Sequence, residues 1–234
     1  MFIERIVVPT RSELREATRL RVLDSARRLF EARGFNATTV RAIAADAGVS
    51  AGTVMTVGDK RTLLVKVFDE AIGAVHASRA FRAPDGESAT RDAAAVEPVE
   101  SATPDGSAAG PVSPETLAAQ VTDLLEPFIS LFAAHPDLSR AYAAALISGA
   151  HASEVFGGLR TLLIAEIASV LSRAAGGDAG SRVDADALAA SIHLLYIGAV
   201  FEWATGTELD AGALASRIRE ALPPLMPALQ KDRS

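Results

Sequence analysis

Cysteine is missing altogether from the 234 residues, which removes any disulfide framework or thiolate metal site and fits a chain kept in a reducing cytoplasm. The four histidines, His76, His135, His151 and His193, are scattered without metal-ligand spacing, so no metal is expected. Aromatic residues make up only 5% and strand-type runs are scarce while alanine is abundant, so the chain reads as all-α. No uncharged apolar run reaches the roughly 18 residues that cross a bilayer. The nearest, Ala187 to Phe201, is alanine-rich and holds His193, so no membrane partner is expected. The opening MFIERIVVPTRSE carries charge inside its apolar run and offers no small-residue cleavage site. No secretion signal is therefore read there, and the cytoplasm is the expected location. Nucleophile–base pairs, phosphate-cradling glycine loops and paired-carboxylate motifs are also missing, so neither catalytic residues nor a cofactor is expected.

With 49% hydrophobic and 22% charged residues, the chain can bury the core of one large or two small domains. Its net charge of −6 argues against nucleic acid only if taken whole. Residues 1–61 hold 11 Lys and Arg against 7 Asp and Glu, a net of +4, and the remainder holds 12 against 22, a net of −10. A positive N-terminal module in an otherwise acidic protein suits phosphate contact at one end and another task at the other.

The stretch from Thr38 to Thr56, TTVRAIAADAGVSAGTVMT, has the punctuation of two short helices crossing at a tight turn. Thr38 or Thr39 can cap the first, whose apolar Val40, Ile43, Ala44 and Ala47 recur at helical spacing. Gly48 can close it in the left-handed conformation, and the Ser50 hydroxyl can cap the second. Ala44 and Ala47 allow close approach, and Val49 and Val54 can pin the second helix down. Ser50, Ala51, Gly52, Thr53, Met55 and Thr56 are left facing outward. Small polar residues at a helix N-terminus suit the DNA major groove, where amides and hydroxyls meet phosphates and a methyl can touch thymine. An ordinary helical hairpin inside a core has the same bare pattern, so the flanks must decide.

Residues 1–11 read as an irregular, Arg-bearing arm, either solvated or touching DNA. A helix over about Ser12 to Arg33 puts Val22, Leu23, Ala26, Leu29 and Phe30 on one stripe, and Gly34 ends it. Asp59 caps a fourth helix in which Leu63, Leu64, Val67, Phe68, Ala71, Ile72 and Val75 keep helical period. Lys60 lies in its first turn, where a cation opposes the helix dipole unless an anion is bound, so Lys60 is a candidate phosphate contact.

The tract RLFEARGFNATTVRAIAADAGVSAGTVMTVGDKRTLLVKVFD resembles the N-terminal domain of the TetR family of bacterial transcriptional regulators. The likeness covers roughly residues 18 to 72. It rests on Leu29-Phe30 and Gly34-Phe35 ending the first helix, on Thr38-Thr39-Val40-Arg41, on the AGVSAGT run at 47–53, and on Lys60. It implies an all-α dimer with a three-helix DNA-binding head and a larger helical-bundle body for ligand binding and dimerisation. Carried over by resemblance, Thr38, Thr39, Arg41, Ser50, Ala51, Gly52, Thr53, Met55, Thr56 and Lys60 fall where the family touches operator DNA. One departure stands out: the family usually has aromatics at Met55 and just before helix four, and here the tract reads Met55-Thr56-Val57-Gly58, about one residue short.

Between Phe81 and Ser113 the composition turns to Pro, Gly, Ser, Ala and acid, which reads as a disordered linker or insertion. From Pro114 the chain is helical again over about 115–134, 137–148, 153–175, 184–205 and 209–222. The helix over 184–205 is apolar on nearly every side, so one face can pack on its own subunit and another on a partner's, with Leu195 and Ile197 as candidates to face that partner. A central core helix has the same pattern; by resemblance, the last two long helices form the dimerisation pair. Aromatic and polar residues interrupting apolar faces are candidates for a small-molecule site: Phe128, Phe132, Tyr142, Phe156, Arg160, His193, Tyr196 and Trp203.

The expected organisation is a head at 1–58, a connecting helix at 59–82, a linker at 83–113 and a body at 114–234. The expected function is a dimeric repressor released from a palindromic operator by a small molecule, with double-stranded DNA, a second copy and that ligand as partners. The alternative is a helical small-molecule carrier or enzyme whose helix-turn-helix is only structural.

Overall fold

A computed structural model of the chain describes residues 10–80, 112–149, 153–174, 179–206 and 210–229. These are helical with no strand among them: α1 (Arg11–Ala37), α2 (Val40–Ala47), α3 (Ala51–Val57), α4 (Lys60–Ala80), α5 (Pro114–Ala134), α6 (Pro136–Ile147), α7 (Glu154–Ala174), α8 (Ala179–Thr205), α9 (Ala211–Ala221) and a 3-10 segment, Pro223–Leu229. The expected arm and most of the expected linker lie outside the described residues.

Local chemistry sets the head. Thr10 and Glu13 cap α1 reciprocally: the Glu13 amide donates to the Thr10 hydroxyl at 3.2 Å and the Thr10 amide to the Glu13 carboxylate at 2.6 Å. The expected stripe Val22, Leu23, Ala26, Leu29 and Phe30 is buried. At Gly34 (φ 78°) the helix breaks, and a last turn swings Phe35 back until its ring centroid lies 5.7 Å from that of Phe30. Thr39 caps α2 through the Ala42 amide at 3.1 Å, and Gly48 closes it at φ 66°. Ser50 then caps α3 through the Thr53 amide at 3.0 Å, and Asp59 caps α4 through the Thr62 amide at 2.7 Å.

α4 belongs to both halves of the molecule. It packs on α1 near its start and on α5, α6 and α7 farther along. Leu63 and Leu64 are fully buried, and Phe68 and Ile72 continue the stripe into the body. Each such side chain contributes about 2 kcal/mol by leaving water. In the body, α5, α7, α8 and α9 share a core that includes Leu125, Ile129, Ile167, Leu171, Ile192, Leu214 and Ile218. Arg140 of α6 donates to the carbonyls of Ala204 (2.8 Å) and Gly206 (2.6 Å), closing the C-terminal end of α8 with a cation.

Counting windows that tolerate a charge or two, rather than uncharged runs, Pro114–Ala134 and Ala185–Thr205 are long and apolar enough to cross a membrane. The second window is only 28% buried although its mean hydropathy is 1.5. α8 therefore carries apolar surface that the described residues leave uncovered.

Candidate DNA-reading face and ligand cavity

Val54 anchors α3 from beneath with no exposed surface, and Ser50, Ala51, Gly52, Met55 and Thr56 stand outward on its other side. Met55 is 53% exposed, unusual for so large an apolar side chain. Thr53 is half-buried, and its hydroxyl lies 2.9 Å from that of Ser50, so the cap and the reading face share one hydrogen-bonded pair. Thr39 and Arg41 are exposed at the start of α2.

Two expected DNA contacts lie elsewhere. Thr38 is wholly buried, and its hydroxyl faces the carbonyls of Leu29 (3.0 Å) and Gly34 (2.9 Å). It ties the break in α1 together and cannot meet DNA. Lys60 turns away from solvent: its ammonium donates to the carbonyls of Phe35 (3.0 Å) and Thr38 (3.1 Å) and sits 4.2 Å above the centre of the Phe35 ring. The negative partner that a cation in the first turn of α4 requires is thus supplied by backbone carbonyls and a ring face rather than a phosphate. The shortened tract before α4 also has a steric reason. A Cβ at Gly58 would come within 2.7 Å of the Thr62 side chain, so a glycine lets α3 run straight into α4.

The positive charge of the head is partly spent internally. Arg19 pairs with Glu16 and Glu70, Arg27 with Asp24, and Arg28 with Asp24 and Asp46. These partners hold the Glu16, Asp24 and Asp46 carboxyls below the usual carboxylate range, chiefly through arginine hydrogen bonds. Arg11, Arg15, Arg21, Arg33, Arg41 and Arg61 are exposed and make no ion pair with described residues, so they present the head's available charge.

The body encloses a cavity of about 580 Å³. Phe128, Phe132, Tyr142, Arg160, His193, Tyr196 and Trp203, picked separately as interruptions of apolar faces, all line it. The Phe156 side chain lies outside the described residues. Ile72 and His76 of α4 also line the cavity; the helical period marked Ile72 only as core, and His76 stood out only as one of four scattered histidines. Next to the wall, the buried Asp69 carboxylate accepts from the Ser153 hydroxyl at 2.7 Å and more loosely from Tyr142 at 3.4 Å. Burial first, and then Asp69, pushes the Tyr142 phenol well above its usual range. Burial and, after it, the charge of Arg160 push the His193 imidazole below its usual value, which favours the neutral form.

Ile197 is half-buried and faces the cavity, and Leu195 is half-buried too, so neither is the outermost residue of α8. That position belongs to Leu194, 67% exposed. Ala187, Ser191, Gly198 and Phe201 lie at helical spacing along the same exposed stripe.

An all-α chain with a capped helix-turn-helix, an outward reading helix and unpaired arginines around it is a helix-turn-helix transcriptional regulator. Residues 22–56 match the family model described as bacterial regulatory proteins, tetR family, so the head is similar to that family's DNA-binding module. No curated protein matches the chain. Among solved structures, the fatty acid degradation regulator FadR from Bacillus halodurans is 16% identical, covers 88% of this chain and 94% of its own, and superposes with a TM-score of 0.47, a likeness too loose to carry a function across.

Proposed function

We propose that the protein is a repressor that binds a near-palindromic operator as a homodimer in the cytoplasm and releases it when a small molecule fills the cavity, without catalysis. The observation that carries this reading is α4, a single helix that locks onto the head through Lys60, Leu63 and Leu64 and lines the cavity through Ile72 and His76. A ligand that favours one setting of α4 biases the head by its difference in affinity for the two settings. Residues 1–58 then form the reading unit and 114–234 the sensing and dimerising unit. Thr39, Arg41, Ser50, Ala51, Gly52, Thr53, Met55 and Thr56 meet the operator, and Arg11, Arg15 and Arg61 add charge. The dimer is supported by the apolar stripe of α8 that the described residues leave open.

Selection of DNA from a random pool by the purified protein tests the reading. The expected product is a symmetric site with half-sites about one helical turn apart. Binding of the best selected duplex no tighter than random DNA at physiological salt defeats the regulator reading.

A further inference from the structure

We propose that the cavity takes an apolar organic acid, with its carboxylate between Arg160 and His193 and its hydrocarbon body among Phe128, Phe132, Leu163 and Val200. The proposal deepens, and rests on, the reading of this cavity as the regulator's ligand site.

His193 is only 5% exposed and lines the cavity, yet its Nδ1 has no hydrogen-bond partner among the described residues. A buried nitrogen left without a partner is rare, and a hydrogen-bonding ligand removes its cost. Arg160 stands at the exposed rim of the lining, and its guanidinium makes no ion pair or hydrogen bond with described residues. It is close enough to His193 for its charge to help keep the imidazole neutral. A neutral imidazole still has one N–H to give, and with the proton on Nδ1 that donor is the unpartnered atom.

The rest of the lining says which sign of ligand fits. Among the described residues no Asp, Glu or Lys lines the cavity, and Tyr142 points its hydroxyl at Asp69 behind the wall. An amine or quaternary cation would meet the charge of Arg160, while the Asp69 carboxylate behind the wall already accepts from Ser153 and Tyr142. An alcohol would satisfy the imidazole but offer the rim guanidinium no charged partner. A carboxylate answers both, since its oxygens accept from the guanidinium fork and from an N–H together. The hydrocarbon part is free to be aliphatic or aromatic: the stacked Phe132 and Tyr142 rings, 6.3 Å apart, suit a flat ligand, while the aliphatic walls suit a chain.

The test uses the intact protein and direct calorimetric titration at neutral pH with decanoate, 2-naphthoate, 1-decanol and decylamine. The single tryptophan, Trp203, lines the cavity, so its fluorescence reports occupancy in parallel. The expected result is at least one of the two acids binding about tenfold or more tighter than 1-decanol, with decylamine weakest. Arg160→Gln, a change at a solvated position, should shrink the acid-over-alcohol ratio about tenfold to a hundredfold while 1-decanol binds as before. His193→Gln, which keeps an N–H, should shrink it less. Equal binding of acid and alcohol, a preference for the amine, no binding by either acid, or a ratio indifferent to Arg160→Gln overturns the proposal. Operator release is scored separately by gel shift. Acid binding without release keeps the ligand class and defeats the ligand-responsive reading; release by 1-decanol with no acid preference does the reverse.

Discussion

Replacing Lys60 by methionine keeps most of the apolar stem and deletes the ammonium that holds the start of α4 against the corner between α1 and α2. The loss comprises two hydrogen bonds from a charged donor, at 3.0 and 3.1 Å, and a ring contact at 4.2 Å. A hydrogen bond to a charged group is worth about 1.5–3 kcal/mol net and a cation over a ring about 0.5–1 kcal/mol at an exposed site. Lys60 is half-buried and both carbonyls share one ammonium, so the low ends apply and the expected destabilisation is about 2–3 kcal/mol. For a chain of this size that lowers the melting temperature by roughly 5–10 °C, read by circular dichroism or calorimetry. Salt titration on random duplex separates this role from a phosphate contact. One lost contact flattens the log–log slope by about 0.9, whereas a clamp turned into the head leaves it within about 0.3 of the unmutated value. Lys60→Arg, which keeps the charge, should recover part of the stability. Unchanged melting together with a slope reduced by about one unit would show that Lys60 grips phosphate and that the clamp is not what it contributes.

Thr38→Val should cost about 1–2 kcal/mol of stability through the lost buried hydrogen bonds and leave the salt slope unchanged; intact melting with weakened DNA binding refutes its assignment to the head's interior. Gly52→Ala adds a Cβ whose only neighbour is the Ser50 hydroxyl at 3.6 Å, so α3 should gain about 0.5–1 kcal/mol while the selected operator binds roughly tenfold more weakly. Gain without loss on the operator means that DNA does not approach that face. Leu194→Arg places a charge on the open stripe of α8 and should yield monomers by light scattering; a one-chain mass for the unmutated protein at micromolar concentration refutes the dimer itself. Because the folded pKa of His193 lies below the ordinary 6.5, the unfolded chain takes up this proton first, so stability present above pH 6.5 is lost as the pH falls toward the folded value. His193→Gln should therefore flatten the fall in melting temperature just below pH 6.5, and a profile parallel to that of the unmutated protein contradicts the assignment.

The features legible in the sequence were those whose physics is local. Thr39, Gly48, Ser50 and Asp59 act on amides or carbonyls within a few residues of themselves, so the spacing alone placed α2, α3 and the start of α4. The clamp made by Lys60 was not legible because its partners, Phe35 and Thr38, lie 25 and 22 residues upstream, and only the folded corner brings their carbonyls to it. Thr38 and Thr39 have identical side chains side by side; the break at Gly34 decides that one is buried and the other caps. In α8 the difficulty is different. A helix apolar on every side gives no phase, so the sequence offered Leu195 and Ile197 for the outer face, and only the packing of α8 shows Leu194 to be the outermost. Ile72 stayed hidden for the opposite reason: its clean period reads as core, and nothing local says that the core it faces is hollow.

α8 is a wall with two working surfaces, His193, Tyr196, Ile197 and Val200 toward the cavity and Leu194 away from it, with Phe201 lining the cavity and still 37% exposed. Occupancy on one side and self-association on the other then draw on the same helix. Whatever factor the ligand applies to pairing, pairing must apply to the ligand. On the proposed reading, any such coupling makes the half-saturating dose drift with protein concentration, so that a cell making more copies would reset its own threshold for response.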